Sequence, residues 1–253
     1  MDPVRRTAEG WPMAPSQEEW DALSAAEREA VASALPGEVT DAEMSPPEGD
    51  LHFKGKVRAL DALRNYFKRQ KRRIYLAPEL PVYYPSEPRF APDLLAVLDV
   101  DDHDRNSWFV SREGKGLDWV MEVHVGGDRE KDAEENVARY ARLGVTEYFV
   151  YDRARGRLAA YRLSPGARTY APIVPQRGLH TSSVLGLDVE VQADRLRFYD
   201  GTAVLLESDE LIERLERHLD NLTAQREEEQ RLREAAEDEV ARLRAELERL
   251  TRK

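Results

Sequence analysis

The stretch "LDWVMEVHV" (Leu117–Val125), with "EKDAEENVARYARLG" (Glu130–Gly144) and "TEYFVYD" (Thr146–Asp152) after it, decides the fold. The first and last pieces are rich in β-branched and aromatic residues and read as strands. The middle piece reads as a helix closed by Gly144. Strand, helix, strand in this order implies a mixed sheet with a crossover helix. Side chains alternate along a strand, so Trp119, Met121, Val123 and Val125 share one face. Val120, Glu122 and His124 share the other. Two ionisable groups therefore point the same way off a strand whose opposite face is core.

Working outward, "RIYLAPELPVYYP" (Arg73–Pro85) and "PDLLAVLDV" (Pro92–Val100) read as two earlier strands, with "DDHDRNS" as a loop. "RGRLAAYRL" extends the last strand as a hairpin-like partner, and short β pieces continue to about Gly201. Upstream, "SQEEWDALSAAEREAVASAL" reads as one helix with a Ser16–Glu19 capping box. Pro36–Asp50 is a polar linker, and Asp50 can cap the helix "LHFKGKVRALDALRNYFKRQ". Its apolar stripe is expected at Phe53, Val57, Leu60 and Phe67.

The C-terminus changes character. Ile212, Leu215, Leu219 and Leu222 follow coiled-coil spacing, Arg226, Glu229 and Arg233 interrupt it, and Ala236, Val240, Leu243, Leu247 and Leu250 resume in phase. This predicts a coiled coil with a polar centre that makes the chain a homodimer. A lone solvated amphipathic helix is the alternative. The expected divisions are 1–49 (helix and linker), 50–206 (the sheet domain) and 207–253 (the coiled coil).

At 253 residues with 41% hydrophobic and 34% charged residues, the chain is globular and carries a heavy charge load. It has no cysteine, which excludes disulfides and thiolate metal sites and fits a cytoplasmic protein. No run suits a membrane span or a secretory signal. The net charge of −11 is uneven: residues 1–50 hold 3 basic and 12 acidic residues, and residues 207–253 hold 10 and 15. The centre, with 25 basic and 22 acidic, is mildly basic, which permits a polyanionic partner.

Asp93, at the start of the second strand, can converge with Glu122 if the two strands are neighbours. Two carboxylates suffice for Mg²⁺, which prefers hard oxygens and takes few protein ligands. A third group on that face, His124, could position or deprotonate a water. A strand glutamate can equally be a solvated side chain, and a histidine a structural one. "KRQKRR" places Lys68, Arg69, Lys71, Arg72 and Arg73 where they could bind a phosphate backbone without reading sequence. They suit a helix C-terminus equally well.

"RFAPDLLAVLDV", "LDWVMEVHV", "DAEENVARYARLGVTEYFVYD" and the long charged C-terminal helix together resemble the Uma2 family of restriction endonucleases, within the PD-(D/E)xK nuclease superfamily. The resemblance covers roughly residues 50–200, and the run Gly144–Asp152 is its most specific marker after Pro92-Asp93. It implies an α/β nuclease core with a central mixed sheet flanked by helices. It further implies Mg²⁺ (or Mn²⁺) on Asp93 and Glu122, and hydrolysis of DNA. Self-association would then pair two sites for two strands. The family lysine two residues after the glutamate is His124 here. Its alternative place on the following helix, four residues after Asp132, is Asn136, and Tyr140 fits the pattern one turn on. Glu79 is a further acidic group, or a solvent-facing strand residue. Two readings stay open: a working metal-dependent endodeoxyribonuclease with His124 replacing lysine, or a weak or inactive nuclease-fold module serving as a nucleic-acid or protein binding scaffold.

Overall fold

The computed structural model describes residues 4–38, 49–125 and 130–251, without the side chains of residues 130–134. The chain divides into two compact units, Met1–Leu205 and Leu206–Lys253.

The first unit opens with a ribbon of β1 (Arg5–Arg6) and β2 (Pro12–Met13), then α1 (Gln17–Ala22) and α2 (Ala25–Ala34). The single helix expected here is two. Ser24 and Glu27 form a second capping box, just as Ser16 and Glu19 do, and a new N-cap ends the helix before it. These helices are not a separate segment. Trp20 packs edge-on against Phe109 at 4.7 Å, in a cluster with Val4, Ala14, Leu35 and Tyr83.

The long helix α3 (Gly49–Gln70) follows, with Asp50 in its first turn. Its buried face differs from the expected stripe. Leu60 and Phe67 are buried, but Phe53 and Val57 are 59% and 39% exposed. The inward face carries Gly55, Lys56, Ala59, Ala62 and Leu63 instead. Close approach explains the choice. A Cβ at Gly55 would lie 3.1 Å from Val123 Cγ1, so only the smallest residue lets the helix sit this near the sheet.

Next come β3 (Ile74–Pro78), β4 (Val82–Tyr83), β5 (Leu94–Leu98), β6 (Trp108–Phe109), the short α4 (Val110–Glu113) and β7 (Trp119–His124). The strand expected over Arg73–Pro85 breaks at Glu79, whose φ of +47° cannot continue a strand. Then α5 (Glu130–Arg142) crosses to β8 (Glu147–Asp152), and β9 (Arg157–Arg162) and β10 (Ala171–Pro172) complete a six-stranded sheet in the order β10-β9-β8-β7-β5-β3. Within this sheet β7 and β8 are the parallel pair, and α5 is the crossover between them, while β4 and β6 pair in parallel as a separate two-stranded ribbon. Gly144 takes φ +78° just beyond α5, the left-handed conformation that ends a helix. The strands β11 (His180–Ser182), β12 (Leu187–Gln192), β13 (Arg195–Asp200) and β14 (Ala203–Val204) form a second, antiparallel sheet. One core joins α3, the Trp119–Met121–Val123 face of β7 and this second sheet. The other face of β7 is also buried, with Val120 among Tyr140, Tyr148 and Trp108. Both faces of β7 are thus core, which the alternation alone did not require.

Glu147 locks the two sheets together. It is fully buried and accepts from Arg162 Nε (2.8 Å), Ser183 N (2.9 Å), Ser183 Oγ (2.7 Å) and Ser182 Oγ. Such a buried carboxylate is held only by complete hydrogen bonding.

The second unit is α6 (Ser208–Thr251), 44 residues with none buried. Among the described residues no helix is long and apolar enough to cross a membrane.

Replacing Glu147 with alanine strands the donors of Arg162, Ser182 and Ser183 and also Val184 N, which donates to Oε2 at 3.4 Å, and we expect a loss of about 2–4 kcal/mol. Urea unfolding at unchanged m-value measures it, and a loss below about 0.5 kcal/mol would place Glu147 among ordinary surface positions.

Candidate active site

The register of the sheet brings the acidic pair together. Leu94 pairs with Met121, antiparallel, at the end of the β5–β7 ladder. The residue before Leu94 therefore falls beside the residue after Met121, and these are Asp93 and Glu122. Asp93 N donates to Glu122 Oε2 at 3.3 Å, and Val123 N donates to Asp93 Oδ2 at 2.7 Å. The turn before Asp93 is pinned from behind, because Glu79 N donates to Pro92 O at 3.0 Å. The left-handed backbone at Glu79 thus serves the site.

Tyr140, on α5, donates its hydroxyl to Glu122 Oε1 at 2.7 Å. Its ring is held between Phe90 (5.8 Å) and Tyr148 (4.8 Å). Burial and the nearby Glu122 charge push its pKa well up, so it remains a proton donor to the carboxylate.

Two basic side chains of α3 act on the pair, and neither was among the residues singled out in the sequence. His52 Nε2 lies 2.9 Å from Asp93 Oδ1. Lys56, only 4% exposed, pairs with Glu79, and its charge acts on Asp93. The two stand four residues apart, one helical turn, on the same side of α3. A lysine beside Gly55 in the inward face was the available signal.

The two carboxylates respond in opposite directions. Burial and then the Asp93 charge raise Glu122 well above the ordinary carboxylate range, against the pull of Tyr140. Burial also acts to raise Asp93, but the His52 hydrogen bond and charge, Val123 N–H and Lys56 outweigh it, and its pKa is lowered. The pair holds one negative charge easily and a second only with added positive charge.

His124 lies on the same face as Glu122 but one position beyond the pair, in register with Asp152 of β8. Its charge helps lower Asp152, after the larger effects of burial, which raises it, and of the Arg155 hydrogen bonds. Among the described residues no three acidic, histidine or cysteine side chains gather as a metal-binding group. Asn136 sits partly exposed one turn before Tyr140. Asp132 is on α5, but its side chain lies outside the described residues. In the basic run, Arg72 is committed to the carbonyls of Leu185 (2.8 Å) and Val184 (2.9 Å) and lies over the Phe67 ring. Arg73 pairs with Asp101 and Arg69 with the Asn65 carbonyl. Lys68 and Lys71 are exposed. The run lies about 20 Å along α3 from Lys56, at 1.5 Å per residue.

The donor set fits a divalent cation. Two hard carboxylates at one point share a charge that the apo protein accommodates poorly.

A family model described as "Uma2: Putative restriction endonuclease" matches residues 18–196. Among solved structures, the crystal structure of "a putative nuclease belonging to DUF820" from Anabaena variabilis is similar at 13% identity and a TM-score of 0.43, covering 56% of this chain and 76% of that one. No curated protein matches.

The raised Glu122 pKa gives the apo protein a defined pH dependence. The folded state holds a proton that the unfolded state has released, so this group's contribution to stability falls as pH rises from about 4.3 toward the raised value. Glu122→Gln should flatten that slope in denaturant titrations at several pH values, and an unchanged slope would contradict the assignment.

Proposed function

The chain belongs to the Uma2 family, and from that membership we propose that its first unit is a Mg²⁺-dependent endonuclease acting on DNA. The observation that carries this reading is the convergence of Asp93 and Glu122, with His52 of α3 against Asp93 and the charge of Lys56 acting on it. Asp93 and Glu122 would hold the metal, which supplies Lewis acidity toward a phosphate oxygen and a more acidic water. The protein's own groups do the rest. Tyr140 fixes the Glu122 carboxylate through Oε1, and Val123 N–H fixes Asp93 through Oδ2. Lys56 takes the part that the missing strand lysine would play: a positive charge, held in the protein interior, next to the acidic pair. His52 orients Asp93. In this reading His124 is not the replacement base.

The scaffold reading draws on the same His52 contact. His52, at 2.9 Å from Asp93 Oδ1, would compete with a metal for that carboxylate.

Substrate contact falls to the exposed cations of the run at the end of α3. Lys68 and Lys71 are available to phosphates, whereas the Arg72 guanidinium is hydrogen-bonded to the carbonyls of Leu185 and Val184. Self-association is assigned to α6, whose apolar row is exposed.

Asp93→Asn and Glu122→Gln should each abolish DNA cleavage in Mg²⁺ and remove Mg²⁺ binding in calorimetry. Lys56→Met should keep metal binding and lower the cleavage rate by about 10²–10³. A wild-type chain that binds neither Mg²⁺ nor Mn²⁺ and cuts no DNA would establish the scaffold instead. Lys68→Ala combined with Lys71→Ala should reduce the slope of log K against log salt by about 2, and Arg72→Ala should lower stability instead.

A further inference from the structure

We infer that two copies of the chain associate through α6 in antiparallel orientation, overlapping over the whole repeat. This rests on the self-association proposed above and adds its direction. The repeat sets Ile212, Leu219, Arg226, Arg233, Val240 and Leu247 at the first core position, and Leu215, Leu222, Glu229, Ala236, Leu243 and Leu250 at the second. The leucine, isoleucine and valine members of this row are 42–66% exposed on the isolated helix, so the row is unpartnered within one chain.

Charge decides how a second copy fits. In a parallel pair every layer meets itself: Arg226 meets Arg226, Glu229 meets Glu229 and Arg233 meets Arg233. Three consecutive like-charge layers would sit in a seam where water screens poorly. In an antiparallel pair first positions meet second positions. With Ile212 opposite the partner's Leu250, the apolar residues Leu215, Leu219 and Leu222 meet the partner's Leu247, Leu243 and Val240. At the centre Glu229 meets the partner's Arg233, twice by symmetry. Arg226 faces the partner's Ala236, whose small side chain lets the guanidinium reach outward to water. Sliding by one heptad in either direction loses this match: one shift sets Leu222 against the partner's Arg233, the other sets Arg226 against the partner's Leu243.

Residues outside the row agree. Leu232 is 63% exposed and off the core positions, without a role in one helix. The two-fold axis of the antiparallel pair passes at residue 231 and sets Leu232 beside its own copy. Glu216 falls next to the partner's Arg244. The two α6 starts then lie about 70 Å apart.

The chain has no cysteine, so a single label can be placed cleanly. Arg217 lies on the outward side of the repeat, and the full-length Arg217→Cys variant can carry a spin label there. The antiparallel dimer predicts an interspin distance of about 42 Å, and a parallel one less than about 25 Å. Sedimentation of the same sample reports the association state. A dimer at the long distance supports the inference. A dimer at the short distance overturns the direction and leaves self-association standing, and a monomer overturns both. A charge exchange gives a second reading. Glu229→Arg should weaken the dimer about tenfold or more, and adding Arg233→Glu should restore it, because the pair is then reversed. An unchanged dissociation constant for the single variant would overturn the inference.

Discussion

The antiparallel register between β5 and β7 is the constraint on which the site depends. With Leu94 opposite Met121, Asp93 and Glu122 must be neighbours, whatever else the fold does. The ladder does not simply end there. The Asp93 side chain takes the Val123 N–H that a further strand residue would have taken, and the Glu122 side chain takes the Asp93 N–H. The backbone donors at the end of the sheet are satisfied by the acidic side chains themselves, so positioning the carboxylates and finishing the strand pairing are one act.

Two carboxylates so placed, at the end of a strand buried on both faces, need positive charge. The strand cannot supply it from a lysine, because the position where the family's lysine would stand holds His124, in register with Asp152. The charge comes from α3, and α3 comes close because Gly55 has no side chain to hold it off Val123. One glycine thus brings Lys56 into the interior and His52 onto Asp93. The exposed Phe53 and Val57 follow from the same rotation: turning them inward would turn His52 and Lys56 away.

This is also why the site was only half legible in the sequence. Glu122 could be found because strand alternation is a local rule, Asp93 because it opens a neighbouring strand, and Tyr140 through the family pattern. His52 and Lys56 depend on which face of α3 is buried. Apolar count favoured the stripe through Phe53 and Val57, whereas the contact distance to β7 favoured the small residues Gly55, Ala59 and Ala62. The break at Glu79 was hidden likewise, since a left-handed residue inside an apolar run leaves no compositional mark. The crossover strand–helix–strand was legible because each piece was long and strongly patterned. The second capping box, Ser24 with Glu27, was in plain view and differs in nothing from the one that was read.

The two units use charge at core positions by one rule. In the first, an acidic pair in the interior is tolerated because particular cations are brought to it. In α6, Arg226, Glu229 and Arg233 occupy places where leucine would bind more tightly. A row of leucines throughout would pair in either direction and in several registers. Three charged layers remove the parallel arrangement and the shifted ones, at a cost in affinity that the apolar layers on both sides can bear. A helix of 44 residues with nothing buried has no tertiary packing of its own to stabilise it. In the antiparallel dimer we propose, its order in solution, like its direction, would rest on the partner that the charge pattern selects.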